Sequence, residues 1–139
     1  MATFAIPPRQ GVDNREIIIE LDYGLPSALS PNGRAHWRKK ATVQKEFKES
    51  VYYRAREYNL DNPIDPATVH YHYRWCGSRP DQDNFIASMK HALDGLVAAE
   101  IIVDDDPSHV TGIDVTYERV RHRSEVGIMI TVRPDTKHE

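Results

Sequence analysis

Val69-His70-Tyr71-His72-Tyr73-Arg74-Trp75 and, after Cys76-Gly77-Ser78, the stretch Arg79-Pro80-Asp81-Gln82-Asp83-Asn84 decide how this chain folds. The first run alternates: Val69, Tyr71, Tyr73 and Trp75 point one way, His70, His72 and Arg74 the other. That is a strand with one buried face. From about Asn84 to Glu100 the period changes. At 100° per residue from Asp83, the residues Phe85, Met89, Ala92, Leu93 and Leu96 gather in a sector roughly 180–280° around, and Lys90 and Asp94 fall about 20° to either side of Asp83. The pattern predicts a helix with a core face and an opposite face carrying Asp83, Lys90 and Asp94. Asp83 or Asn84 suits its N-cap, where the helix dipole favours a carboxylate.

Upstream, residues 1–15 are Pro-rich and polar and read as an irregular lead-in. Glu16 to Tyr23 reads as a strand with Ile17, Ile19, Leu21 and Tyr23 on one face. Ser30-Pro31-Asn32-Gly33 is a turn signal: proline presets φ, and Asn and Gly tolerate positive φ. Arg34 to Tyr58 reads as a long helix, with Trp37, Ala41, Phe47, Val51, Ala55 and Tyr58 as its buried stripe. Asn59 to Pro66 is a polar connection with two prolines. Downstream, Ile101-Ile102-Val103 reads as a short strand or the start of one. Ile113 to Val120 and Glu125 to Arg133 flank the polar turn Arg121-His122-Arg123-Ser124 and read as a hairpin, with Val126, Ile128, Ile130 and Val132 buried. Residues 134–139 read as a frayed tail. The order β-α-β-α-β-β predicts one α+β domain over 1–139: a mixed sheet of about four strands with two helices packed on one face.

Composition narrows the class. The chain has 139 residues, is 40% hydrophobic and carries a net charge of −3, which suits one globular domain. It has no run of 18 apolar residues, so no transmembrane helix is expected. Met1 to Pro8 lacks the charged and apolar regions of a signal peptide, and Cys76 is the single cysteine. Both lead to the expectation of a cytoplasmic protein.

The charge is segregated. Arg34 to Arg56 holds eight Lys/Arg against two Glu, whereas Asp81 to Asp106 holds seven Asp/Glu against one Lys. A basic surface beside an acidic centre suits an enzyme that grips a polyanion and presents a metal to it. A solvated helix face plus an acidic loop accounts for the same charges. Arg34, His36, Arg38, Lys39 and Lys45 are the candidates for phosphate contacts. His70 and His72, two apart, could bind a metal, but a wet sheet face accounts for them too.

Six aspartates fall between Asp81 and Asp106. Carboxylates repel unless a cation or proton sits between them. Magnesium takes hard oxygen ligands, lowers the pKa of a bound water and stabilises charge on an attacked phosphoryl group. A nearby lysine can neutralise the developing charge. Asp-x-Asp alone is weak evidence, and its surroundings here do not match an EF-hand.

The combination says more. Arg79-Pro80-Asp81-x-Asp83-Asn84, then Lys90-x-x-Leu93-Asp94-x-Leu96, then Asp104-Asp105 resembles the RusA-like Holliday junction resolvases. The resemblance is strong over residues 79–110 and supportive from Ser30-Pro31-Asn32 to Trp37. It implies a homodimer that nicks four-way DNA junctions symmetrically and depends on magnesium, with manganese able to substitute. No organic cofactor and no membrane partner are expected. By motif, the catalytic and metal-binding aspartates fall on Asp81, Asp83 and Asp105, and the lysine most nearly on Lys90; Asp94, Asp104 or Asp106 are candidate auxiliaries. In the family pattern the lysine follows the second aspartate by four residues, but Lys90 follows Asp83 by seven. Three residues on one helix amount to about 4.5 Å. A lysine of the basic helix is the candidate substitute. The alternative from another class is a catalytically silent module that binds branched DNA or a regulatory partner.

Overall fold

In the computed structural model the alternating run becomes β2 (Ala67–Trp75), with Val69, Tyr71 and Tyr73 buried and His70, His72 and Arg74 half-buried on the reverse side. The structure describes residues 14–22, 37–77 and 82–135, and of 37–40 and 82–87 only the helical backbone. Around β2 stand β1 (Ile17–Leu21), α1 (Trp37–Arg56), α2 (Gln82–Ala98), β3 (Val110–Arg119) and β4 (Gly127–Pro134), in that chain order. A 3-10 turn, Arg123–Glu125, precedes β4. The strands form one mixed sheet in the order β1-β4-β2-β3. β4 is antiparallel to both neighbours, and β2 runs parallel to β3 across the α2 connection. This is the α+β architecture that the order of elements predicts.

Register shows how one face becomes the core. Ile19 pairs with Ile130, Ile130 with Tyr71, and Tyr71 with Val115, so one row of apolar side chains crosses all four strands. Phe47, Val51 and Ala55 of α1 and Met89, Ala92, Leu93 and Leu96 of α2 join the same buried cluster. Ser88 is buried in it, and its hydroxyl shares a 2.9 Å hydrogen bond with that of Tyr71. Each thereby satisfies a polar group that would be costly to bury alone.

α2 stops in an ordered way. Ile101 N–H donates to Leu96 O at 3.0 Å and Glu100 N–H to Val97 O at 3.0 Å, while Glu100 sits at φ 61. That is a Schellman cap with a left-handed residue closing it. Ile101-Ile102-Val103 is therefore no strand. Ile101 and Ile102 are buried as the chain turns back, Ile101 O accepts from Ile64 N–H at 2.8 Å, and Val103 is exposed. An apolar triplet satisfied by packing under a cap looks, in sequence, like a short strand.

The hairpin reading is also corrected. β3 and β4 are not neighbours, because β2 lies between them. The polar segment after β3 steps across a whole strand, roughly twice the 4.8 Å strand spacing. Turn residues signal a reversal but not what sits between its arms. Four single positions differ as well. Ala41 is exposed, and so is Tyr58, which lies just past α1. Its hydroxyl takes 3.0 Å from Ile18 N–H and gives 2.6 Å to Ile18 O. Trp75 and Val126 are only half-buried. The tail is ordered at its start: Asp135 N–H donates to Pro66 O at 2.9 Å, and Thr111 donates to the Asp135 carboxylate. The Ser30–Gly33 turn, Tyr23 and the side chains of Trp37 and Phe85 lie outside the described residues.

Candidate functional site

α1 and α2 meet where Gly95 lets them. A Cβ there would stand 2.8 Å from Lys48 O and 3.0 Å from Val51 Cβ. The bare Cα allows close approach, and the basic helix is thereby laid against the acidic one. His91 of α2 shows the result. Loss of solvent pushes its pKa below the ordinary value; Asp94 opposes this, and Lys90 and Lys48 push it further down. Lys48, Lys90, His91 and Asp94 thus form one electrostatic neighbourhood across the two helices. Lys90 is exposed and Asp94 half-buried, opposite the core face of α2 as the helical angles require.

The Asp104–Asp106 run divides its work. Asp106 Oδ1 accepts from Ser108 N–H at 2.9 Å, Ser108 Oγ at 2.5 Å and His109 N–H at 3.2 Å. Its pKa is lowered, first by the Ser108 hydroxyl. This carboxylate shapes the turn into β3, as an aspartate commonly does before a reversal. Asp104 Oδ1 accepts from Asp105 N–H at 2.8 Å. Asp105 is the crowded member. Partial desolvation, then a hydrogen bond to Asp104 and repulsion from Asp104 and Asp94, hold its pKa above the ordinary carboxylate value, against the pull of its own backbone N–H. Crowded carboxylates of raised pKa mark functional sites more often than chance.

Asp104 adjoins Asp105 and hydrogen-bonds to it, and the charge of Asp94 acts on it more weakly. Asp83 is in the first turn of α2, and Asp94, eleven residues on, is about 17 Å farther along the axis. Asp81 and the side chain of Asp83 lie outside the described residues, as do Arg34, His36 and the side chains of Arg38 and Lys39. Lys45 projects into solvent from α1, 4.0 Å from Glu49 one turn on. Among the described residues no group of three or more His, Cys, Asp or Glu is arranged to hold a metal ion. Asp105 and Asp94 offer hard oxygens of the kind magnesium takes, but by themselves they are too few.

His70 and His72 are taken up by the sheet. His70 Nε2 and His72 Nδ1 lie 2.7 and 2.6 Å from the Thr116 hydroxyl, and His72 Nε2 lies 3.3 Å from Glu118 Oε1. With neutral rings one assignment fits every link: His72 donates to Glu118, Thr116 to His72, and His70 to Thr116.

Sequence reading passed over one pair. His109 Nδ1 is 2.8 Å from Asp65 Oδ1, and its Nε2 is 4.0 Å from Asp106. The Asp65 hydrogen bond, ahead of Asp106 and Asp104, raises the pKa of His109. Asp106-x-x-His109 spacing was the only local signal; Asp65 is 44 residues away in sequence.

The fold defines a small α+β protein whose basic helix α1 packs on α2, the helix that leads into the acidic Asp104–Asp106 run. Compared with protein-family models and with curated proteins, the chain matches none. Among the described residues no helix is long and apolar enough to cross a membrane.

Proposed function

We propose that this chain is a RusA-like, magnesium-dependent, structure-selective DNA endonuclease that acts in the cytoplasm as a homodimer on four-way junctions. The observation that carries the reading is the repulsion of Asp105 by Asp104 and, more weakly, Asp94, where Asp94 also acts on His91 together with Lys90 and Lys48. Negative charge held together at this cost suits a divalent cation, and positive charge one helix away suits a phosphate backbone. Asp81, Asp83 and Asp105 are the proposed magnesium ligands, with manganese as substitute; about 17 Å of helix separates Asp83 from Asp94, so one shared ion requires Asp105 to reach back from Asp94 toward the start of α2. The ion would supply an activated water and stabilise charge on the scissile phosphate. Lys90 or Lys48 would balance charge on the leaving oxygen. Arg34, His36, Arg38, Lys39 and Lys45 would grip the junction backbone without reading sequence.

Nicking of synthetic four-way junctions with and without magnesium tests the activity. A melting curve tests the site: magnesium or manganese should raise the melting temperature by mass action. Asp83→Asn and Asp105→Asn should each remove most of that rise if the two share one ion. Tight junction binding with no nicking in either metal would instead mark a silent DNA-binding module.

A further inference from the structure

β2 and β3 bring together two imidazole nitrogens that the nuclease reading leaves unused. His70 and His72 stand two residues apart on β2, on the face of the sheet opposite the apolar one that packs with the helices. His70 Nε2 and His72 Nδ1 lie 2.7 and 2.6 Å from one atom, the hydroxyl oxygen of Thr116 on β3. Rings at alternate positions of a strand can point apart; these two point at the same place. The other nitrogen of His72, Nε2, is 3.3 Å from Glu118 Oε1. A carboxylate there keeps the proton on Nε2, leaves the Nδ1 lone pair facing inward and raises its basicity. Carboxylates orient metal-binding histidines in this way. His70 presents Nε2 to the same place once its proton moves to Nδ1, a change of tautomer that needs no net proton. Asp114 pairs with His70 in the register and is exposed, so it adds negative charge to the patch.

We infer that His70 and His72 bind one transition-metal ion, zinc foremost, with Glu118 as the positioning residue behind His72. Imidazole suits zinc, whereas magnesium takes carboxylate and water. The site is therefore chemically distinct from one built on Asp81, Asp83 and Asp105. Zinc holds nitrogen at about 2.0–2.1 Å, closer than the 2.6 and 2.7 Å that separate these nitrogens from the hydroxyl. Binding therefore tilts both rings inward and turns the Thr116 hydroxyl aside to water. Half-buried rings have the room to tilt, and two hydrogen bonds at a half-exposed site are worth little against two zinc–nitrogen bonds. The two histidines fill half of zinc's tetrahedral shell. No third His, Cys, Asp or Glu among the described residues is arranged to complete it, so water takes the remaining positions. The ion stays open to an outside ligand, and it is held more weakly than in a four-ligand structural site.

The inference does not rest on the nuclease reading, and its test reads metal binding rather than cleavage. Calorimetric titration of zinc chloride into the untagged, chelator-treated full chain should show one ion per chain at micromolar affinity. His70→Gln and His72→Gln should each weaken binding by at least about tenfold, and Glu118→Ala by about tenfold although Glu118 does not touch the ion. His109→Gln, at the Asp65 pair before β3, should bind zinc as wild type does. All four side chains are at least partly exposed, so circular dichroism should show each variant folded. Absence of one-to-one binding overturns the inference. So does wild-type affinity in His70→Gln, His72→Gln or Glu118→Ala, or loss of binding in His109→Gln. Displacement of the zinc by excess magnesium overturns it too, since that would put the ion on the aspartates.

Discussion

The Cα of Gly95 in α2 faces the carbonyl oxygen of Lys48 in α1 so closely that a methyl group on it would stand 2.8 Å from that oxygen. Two effects oppose each other on replacing Gly95 by alanine. Helix propensity favours alanine by about 1 kcal/mol. Overpacking a close contact costs about 1–3 kcal/mol, and here the obstacle is backbone, which cannot swing aside. Packing wins. Gly95→Ala should destabilise the protein by about 1 kcal/mol in urea unfolding. A gain in stability would show that the helices separate freely and that the basic and acidic faces are not held together by this contact.

Glu100 presents the opposite case. It closes the α2 cap at φ 61, in the left-handed region, where a side chain costs about 1 kcal/mol and glycine costs little. Its side chain is exposed, so little packing is lost. Glu100→Gly should stabilise by about 0.5–1 kcal/mol, raising the melting temperature by a few degrees. A fall would mean that the Glu100 side chain makes a contribution larger than its backbone strain.

Much of this architecture was legible, and for a physical reason. Alternation in Val69–Trp75 and the helical stripe through Met89, Ala92, Leu93 and Leu96 are local patterns, because burial acts on each residue through its own element. What was not legible is long-range. Nothing near Arg121–Ser124 says that β2 will lie between β3 and β4. Nothing near Tyr58 says that its hydroxyl will bridge Ile18, 40 residues back. In the candidate site, Lys90 and Asp94 were readable as one helix face. The action of Asp94 on Asp105 and of Lys48 on His91, and the Asp65–His109 contact, all depend on how elements pack.

The Asp65–His109 pair makes stability depend on pH. The pKa of His109 is raised above its ordinary 6.5 in the folded state. A raised histidine contributes stability that is fully present below the unfolded value and is lost as pH rises through the folded one. The melting temperature should therefore fall from about pH 6 to about pH 8 more steeply in wild type than in His109→Gln. Asp65→Asn should flatten the slope in the same way, since Asp65 is the leading cause of the shift. Equal slopes in all three proteins would show that the pair does not persist in solution.

Grip and chemistry should separate by mutation. Lys45 is exposed on α1, and its Glu49 neighbour at 4.0 Å is a surface pair of little strength. Together with Lys39 it is proposed to touch phosphates, which set affinity and its salt dependence. Lys39→Ala with Lys45→Ala should weaken junction binding roughly tenfold and reduce the salt slope by about 2. The single-turnover nicking rate at saturating protein should stay close to wild type. Asp105→Asn should do the reverse. It removes a charge crowded by Asp104 and Asp94, so the metal-free protein should melt about 1–2 °C higher. Binding should hold or tighten as repulsion of the phosphates falls, and nicking should drop by at least about a hundredfold. If Asp105→Asn nicks at the wild-type rate, Asp105 is not a metal ligand, and its crowding belongs to the turn that leads into β3.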